Sequence, residues 1–270
     1  MSRYRLTVAY GGQDFDGWQS QPSGNAVQDH LLRALREIQP RIHTVQGAGR
    51  TDAGVHAMAQ VAHFDEAVET RMDGRAWREA LNNRLPRTLR VMEAEIVPPD
   101  FHARFSATGK TYRYEIFVGP VLPPWRWRRA WHLRRPLDFG RLEEAISCFE
   151  GCHNFTAFAA NRGDPVLEPT DPRRTIFRAR ATRGPEEIHL EFTGDGFLYK
   201  MVRMMTGSIV RAAEGDLSPD LIRQWLAAPS PGRKSPLTAP AEGLHLVAVH
   251  YDRCHPADFH LAQPPGPPFG

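Results

Sequence analysis

Leu6, Val8 and Tyr10 alternate with Arg5, Thr7 and Ala9. A period of two with one apolar face predicts a half-buried strand at the start of the chain. The period then changes. Val27, Leu31, Ala34, Leu35 and Ile38 recur every three or four positions, which predicts a helix with Asn25 near its start. Gln60–Phe64 and Leu89–Val97 read as strands. Between them Asp73 can cap a helix that carries Trp77, Ala80 and Leu81 and stops near Pro86.

The second half repeats this order loosely. Tyr112, Tyr114, Ile116 and Val118 alternate as a strand, and Phe139, Leu142, Ile146 and Phe149 line a helix. Ile176–Ala181 and Ile188–Phe192 read as a strand pair. A helix is expected from about Leu198 to Glu214, a short one near Leu221–Leu226, and a closing strand over Leu244–Tyr251. The pattern predicts an α+β chain of two units, 1–104 and 105–255, with the boundary near Pro98–Arg104. The proline- and glycine-rich tail, 256–270, is expected to be poorly ordered.

A hydrophobic fraction of 41% in 270 residues is that of a soluble globular chain. No apolar stretch approaches the length needed to cross a bilayer. The net charge is only +3, but arginine supplies nearly all the cations, with lysine confined to Lys110, Lys200 and Lys234. Arginine stacks on bases and grips phosphate bidentately, which suits a nucleic-acid partner; a GC-rich genome would give the same bias. An odd cysteine count (Cys148, Cys152, Cys254) and no apolar leader point to a reducing cytoplasm.

Candidate chemistry starts at Gly49-Arg50-Thr51-Asp52-Ala53-Gly54-Val55-His56. This segment is too glycine-rich for a helix, so it predicts a tight loop holding one carboxylate beside a cation. Asp52 is the candidate nucleophile. A plain turn that bonds its own backbone is the structural alternative, but a turn needs neither Arg50 nor His56. Phe101–Ser106 leads into Lys110-Thr111-Tyr112-Arg113-Tyr114, where Tyr112 and Tyr114 share a strand face. Either tyrosine could stack on a base, move a proton or simply fill the core. Gly109-Lys110-Thr111 is no phosphate loop, because Arg104 stands where its first glycine belongs and a strand follows.

Downstream, Gly194–Arg203 turns into a helix, where Lys200, Arg203 and Arg211 give roughly one basic face. That face could neutralise Asp52, hold phosphate or merely be solvated. Trp125-Arg126-Trp127-Arg128-Arg129-Ala130-Trp131 interleaves aromatics with cations and suits either RNA stacking or a strand with core tryptophans. Cys148, Cys152 and His153 lack the second ligand pair that a zinc site needs. The parts therefore offer one carboxylate, a tyrosine and basic side chains, with no metal and no cofactor in view.

Taken together, these residues resemble the tRNA pseudouridine synthase A family over nearly the whole chain. Phe15–Gln21 is similar to its Gly-Trp-Gln signature, Gly49–His56 to its catalytic motif, and Phe101–Tyr114 to its tyrosine motif. Phe197–Arg203 is similar to its basic motif, and Ala239–Leu244 to the segment before its last strand. The resemblance implies two ferredoxin-like halves of mainly antiparallel sheet, with helices on one side and a basic cleft between them. It implies a cytoplasmic homodimer that isomerises uridine to pseudouridine at positions 38, 39 and 40 in the anticodon stem-loop of tRNA. Carried over, Asp52 is the nucleophile, Tyr112 lies on the target base and Arg203 pairs with Asp52. Arg50 and Lys200 would bind the substrate, with Arg50 holding the flipped-out nucleotide. An RNA-binding protein without catalysis, or an N-glycosylase that releases uracil, would use the same cleft.

Overall fold

The structure is a computed structural model that describes residues 2–66, 72–161, 171–229, 232 and 234–251. Cys254 and the tail at 256–270 lie outside the described residues.

The chain is α+β and is organised around one mixed sheet. In order along the chain come β1 (Ser2–Tyr10), α1 (Val27–Ile38), β2 (Gln46–Gly47), β3 (His56–Glu66), α2 (Gly74–Asn82) and β4 (Leu89–Val97). Then follow β5 (Gly109–Val118), β6 (Trp131–Leu133), α3 (Phe139–Ser147), β7 (Gly151–Asn154), β8 (Arg173–Arg183) and β9 (Glu187–Gly194). The series closes with α4 (Met201–Glu214), α5 (Pro219–Ala227) and β10 (Leu244–His250). Across the sheet the order is β4-β1-β3-β10-β5-β9-β8-β7, with β2 paired to β3 and β6 to β5. Pairing is antiparallel except for β10 with β3 and β6 with β5.

Local chemistry explains most of these elements. Tyr4, Leu6, Val8 and Tyr10 are buried and their neighbours on β1 less so, as alternation requires. Asp73 caps α2 by accepting from Ala76 N at 2.8 Å. In α1 the cap is not Asn25 but Ala26, whose N–H donates to Asp29 three residues on. α4 begins three residues later than its apolar pattern suggests, because Lys200 adopts a left-handed φ of 59° just before it.

All five helices bury residues in one hydrophobic cluster with alternate residues of β1 and β5. Trp77 of α2 packs on Tyr4 and Phe64 of the sheet beneath it. A second, small cluster of Ala48, Val61 and Ala103 lies under Phe101 and Tyr251. Val61 and Ala62 are adjacent on β3 yet belong to different clusters, so this strand is covered on both faces. β10 sits at the centre, between β3 and β5. Among the described residues, no helix is long and apolar enough to cross a membrane.

Candidate active site

The site grows from the loop between β2 and β3. Ala48 N donates to Val61 O at 2.7 Å, and Gln60 Nε2 donates to Gly49 O at 3.0 Å. Thr51 is held twice: its hydroxyl shares a buried 2.8 Å hydrogen bond with Tyr10, and its carbonyl accepts from Trp18 N at 3.1 Å. Gly17 permits that approach, since its φ is +91° and a Cβ there would lie 2.6 Å from Thr51 O. Val55 N then donates to Asp52 O at 3.1 Å, closing a turn in which Gly54 takes a φ of +83°. The backbone closes this turn, so the Asp52 side chain is not spent on it.

That carboxylate accepts from Arg203 Nη1 at 2.9 Å. Arg203 is pinned elsewhere as well: its Nε donates to Ala239 O at 2.8 Å, and its own carbonyl accepts from Ala239 N at 3.0 Å. The two side chains are only 14% and 23% exposed, so each charge depends on the other.

Tyr112 and Lys110 lie two residues apart on β5 and share a face. The Tyr112 ring packs edge-on against Phe197 at 5.0 Å. Burial, with Tyr10 and Asp52 adding, pushes its phenol well above the ordinary value, so it is a neutral phenol in the resting protein. Burial, with Arg104 adding, pulls the Lys110 amine down to about 8. A Cβ on Gly49 would fall 2.7 Å from Lys110 Nζ, which puts the amine directly over the Asp52 loop. Lys200 lays its Nζ 5.1 Å from the centre of the Tyr199 ring.

Arg50, Asp52, Tyr112, Lys200 and Arg203 all line one cleft of about 390 Å³. Arg104, Lys110 and Arg174 join them, and among the described lining residues Asp52 is the one carboxylate. A cavity of this charge pattern attracts a polyanion and presents it with a single carboxylate. Among the described residues, no three His, Cys, Asp or Glu side chains are grouped to hold a metal ion.

Other parts of the sequence reading go elsewhere. Arg211 leaves the basic face and pairs with Glu214 and Asp216. His56 does not line the cleft. Its Nδ1 accepts from Gly12 N at 3.1 Å and its Nε2 donates to Arg128 O at 2.9 Å. It stacks on His245 of β10, which donates to Arg129 O at 3.0 Å. The paired histidines thus clamp the tryptophan–arginine segment, which also ties Arg126 to Glu115 and Glu187. Trp125 and Trp127 stand 74% and 69% exposed, so the expectation of core tryptophans fails there. Trp131 alone of that group packs inward, edge-on to Tyr114.

A family model for tRNA pseudouridine synthase matches residues 7–106 and 145–252, which include Asp52 and Arg203. The chain belongs to the tRNA pseudouridine synthase family. It is similar to tRNA pseudouridine synthase A of Akkermansia muciniphila, at 49% identity over 93% of this chain and 96% of that one. The same-named protein of Solidesulfovibrio magneticus is 44% identical, over 93% and 92% of the two chains. That of Brevibacillus brevis is 40% identical, over 93% and 100%. Among solved structures, a chain of a Cbf5–Nop10–Gar1 complex overlays at a TM-score of 0.32 and 12% identity, covering 77% of this chain and 44% of that one. As a pseudouridine synthase the protein is an isomerase that converts uridine to pseudouridine.

The isomerisation itself consumes neither an oxidant nor an energy source. Three lining cations, Arg104, Lys110 and Arg174, were not among the expected site residues. Lys110 was legible from strand alternation with Tyr112, and Arg104 from its place in the Phe101–Ser106 segment. Arg174 carries no local signal; it sits on β8 opposite His153 of β7 and reaches the turn at Gly196, just past β9.

Proposed function

We propose that this chain modifies uridines 38, 39 and 40 in the anticodon stem-loop of tRNA, in the cytoplasm and as a homodimer, with Asp52 as the nucleophile. The observation that carries the reading is the 2.9 Å pair of Asp52 with Arg203 in a cleft whose other lining Lys and Arg side chains face no second carboxylate among the described lining residues. The reaction breaks C1′–N1, turns the uracil, joins C1′ to C5, moves the C5 proton to solvent and returns a proton to N1. One fragment must be held while the other turns. A carboxylate paired with Arg203 can do this at C1′ of the ribose or at C6 of the base. Tyr112, neutral and set against Phe197, offers a face to the uracil. Arg50 and Lys200 meet the nucleotide and its phosphates.

The test is tritium release from a tRNA transcript labelled at uridine C5. Wild type should release tritium from the anticodon stem-loop, and Asp52→Ala should release none while still binding tRNA. Full turnover by Asp52→Ala would overturn Asp52 as nucleophile. Release of free uracil would make the protein a glycosylase instead.

A further inference from the structure

Asp52 is recessed, while the base it must reach is stacked inside a stem under the proposed function. Extruding that base leaves a gap in the stack, and filling it lowers the cost. One side chain at the cleft has the right form. Phe105 lines the cleft and is 75% exposed. The other strongly exposed aromatics among the described residues, Trp125 and Trp127, do not line it.

An exposed phenylalanine on a loose loop would gain nothing from ordering, but this one is fixed beforehand. His102 Nδ1 accepts from both Arg104 N and Phe105 N, at 3.1 and 3.2 Å. His102 Nε2 donates to Gln46 Oε1 at 2.9 Å. The segment closes on itself through His102 N to Ser106 Oγ and Ser106 N to His102 O, both 2.9 Å. The imidazole of His102 backs the Phe105 ring at 4.3 Å between centroids, with 33° between planes, and rests in turn on His63. Arg104 holds its guanidinium 5.6 Å from the centre of the same ring. The protein therefore keeps an apolar plate open to solvent, buttressed from behind, with a cation beside it. Water gives no reason to maintain such an arrangement; a nucleobase does.

We propose that Phe105 stacks on the base next to the target uridine and occupies the space that uridine leaves when it swings toward Asp52. The inference rests on the proposed activity and adds a positioning residue to it.

The test uses two RNA hairpins, one with the target uridine paired in the stem and one with it as a single-nucleotide bulge. In the second, little stacking has to be replaced. Phe105→Ala should lower kcat/KM about tenfold or more on the paired hairpin and by no more than about twofold on the unpaired one. Phe105→Trp should restore the paired substrate. A 2-aminopurine beside the target reads base extrusion without turnover, and its fluorescence gain on binding should shrink in Phe105→Ala only. Equal losses on both hairpins, or an undiminished fluorescence gain, would overturn the stacking role and leave the activity standing. A wild type inactive on both hairpins would overturn the activity, and the stacking role with it.

Discussion

Arg203 donates to Asp52 across 151 positions of sequence, at 2.9 Å. The bond joins the loop ahead of β3 to the first turn of α4, and it can form only once both have docked on the sheet. Removing the cation leaves a half-buried carboxylate without its partner charge and without its hydrogen bond. Arg203→Met should lower kcat by about 100-fold or more with a much smaller change in KM, read from single-turnover kinetics with labelled tRNA. A change confined to tRNA affinity would make Arg203 a phosphate contact.

Lys110 predicts a pH dependence of binding and another of stability. Its amine, pulled down to about 8 by burial, loses its charge as pH rises through that value. tRNA affinity should fall from about pH 8 upward in wild type and stay flat in Lys110→Arg, measured by filter binding at constant salt. For folding, the unfolded chain keeps this proton up to its ordinary value of 10.5. Between about 8 and 10.5 the unfolded state holds more protons, so this contribution to stability rises with pH. Below 8 the folded state bears the full cost of a buried charge. Lys110→Met should therefore raise Tm at pH 7 and bind tRNA more weakly, with the stability gain fading toward pH 10.

The buried histidines act in the same sense at lower pH. His56 and His63 are each pulled down to about 4, mainly by burial, with His245 and His102 adding. The unfolded chain takes up protons from pH 6.5 downward, while the folded chain declines them until about 4. Stability should fall as pH drops through that window, at up to about 1.4 kcal/mol per pH unit for each histidine. Urea unfolding at pH 7.5 and pH 5 should show a smaller difference for His63→Gln than for wild type.

Trp125 and Trp127 should matter little to folding. Replacing both with alanine should move stability by about 0.5 kcal/mol or less, because neither contributes to the core. His56→Phe should cost more, since Gly12 N and Arg128 O would both lose their partner, at roughly 1–3 kcal/mol for each buried group. Thermal melts of the two variants side by side would check the contrast.

The sequence made the long elements legible because each repeats its period several times. β1, α2, β4 and the β8–β9 pair lie where alternation and the Asp73 cap put them. β2, β6 and β7 escaped, being two to four residues long and too short to show a period. The position of β10 was hidden as well, since nothing local to Leu244–His250 says that it pairs with β3 on one side and β5 on the other. Asp52, Tyr112 and Arg203 stood out through residue type and motif, and the fold brings them to one cleft. His56 was misleading because its neighbours in sequence face the cleft while its ring faces Gly12 and Arg128. Which way a ring turns from a loop into a strand is decided by packing partners far away in the chain.

The central place of β10 bears on how the protein is made. Asp52, Tyr112 and Arg203 have all left the ribosome before residue 244 is added, yet β3 and β5 have no neighbour between them until β10 arrives. Late, distant pairings of this kind fold slowly and leave strand edges open meanwhile. A growing chain thus carries every group named in the cleft well before it can assemble one, and the cell receives a synthase only when its central strand has been laid in.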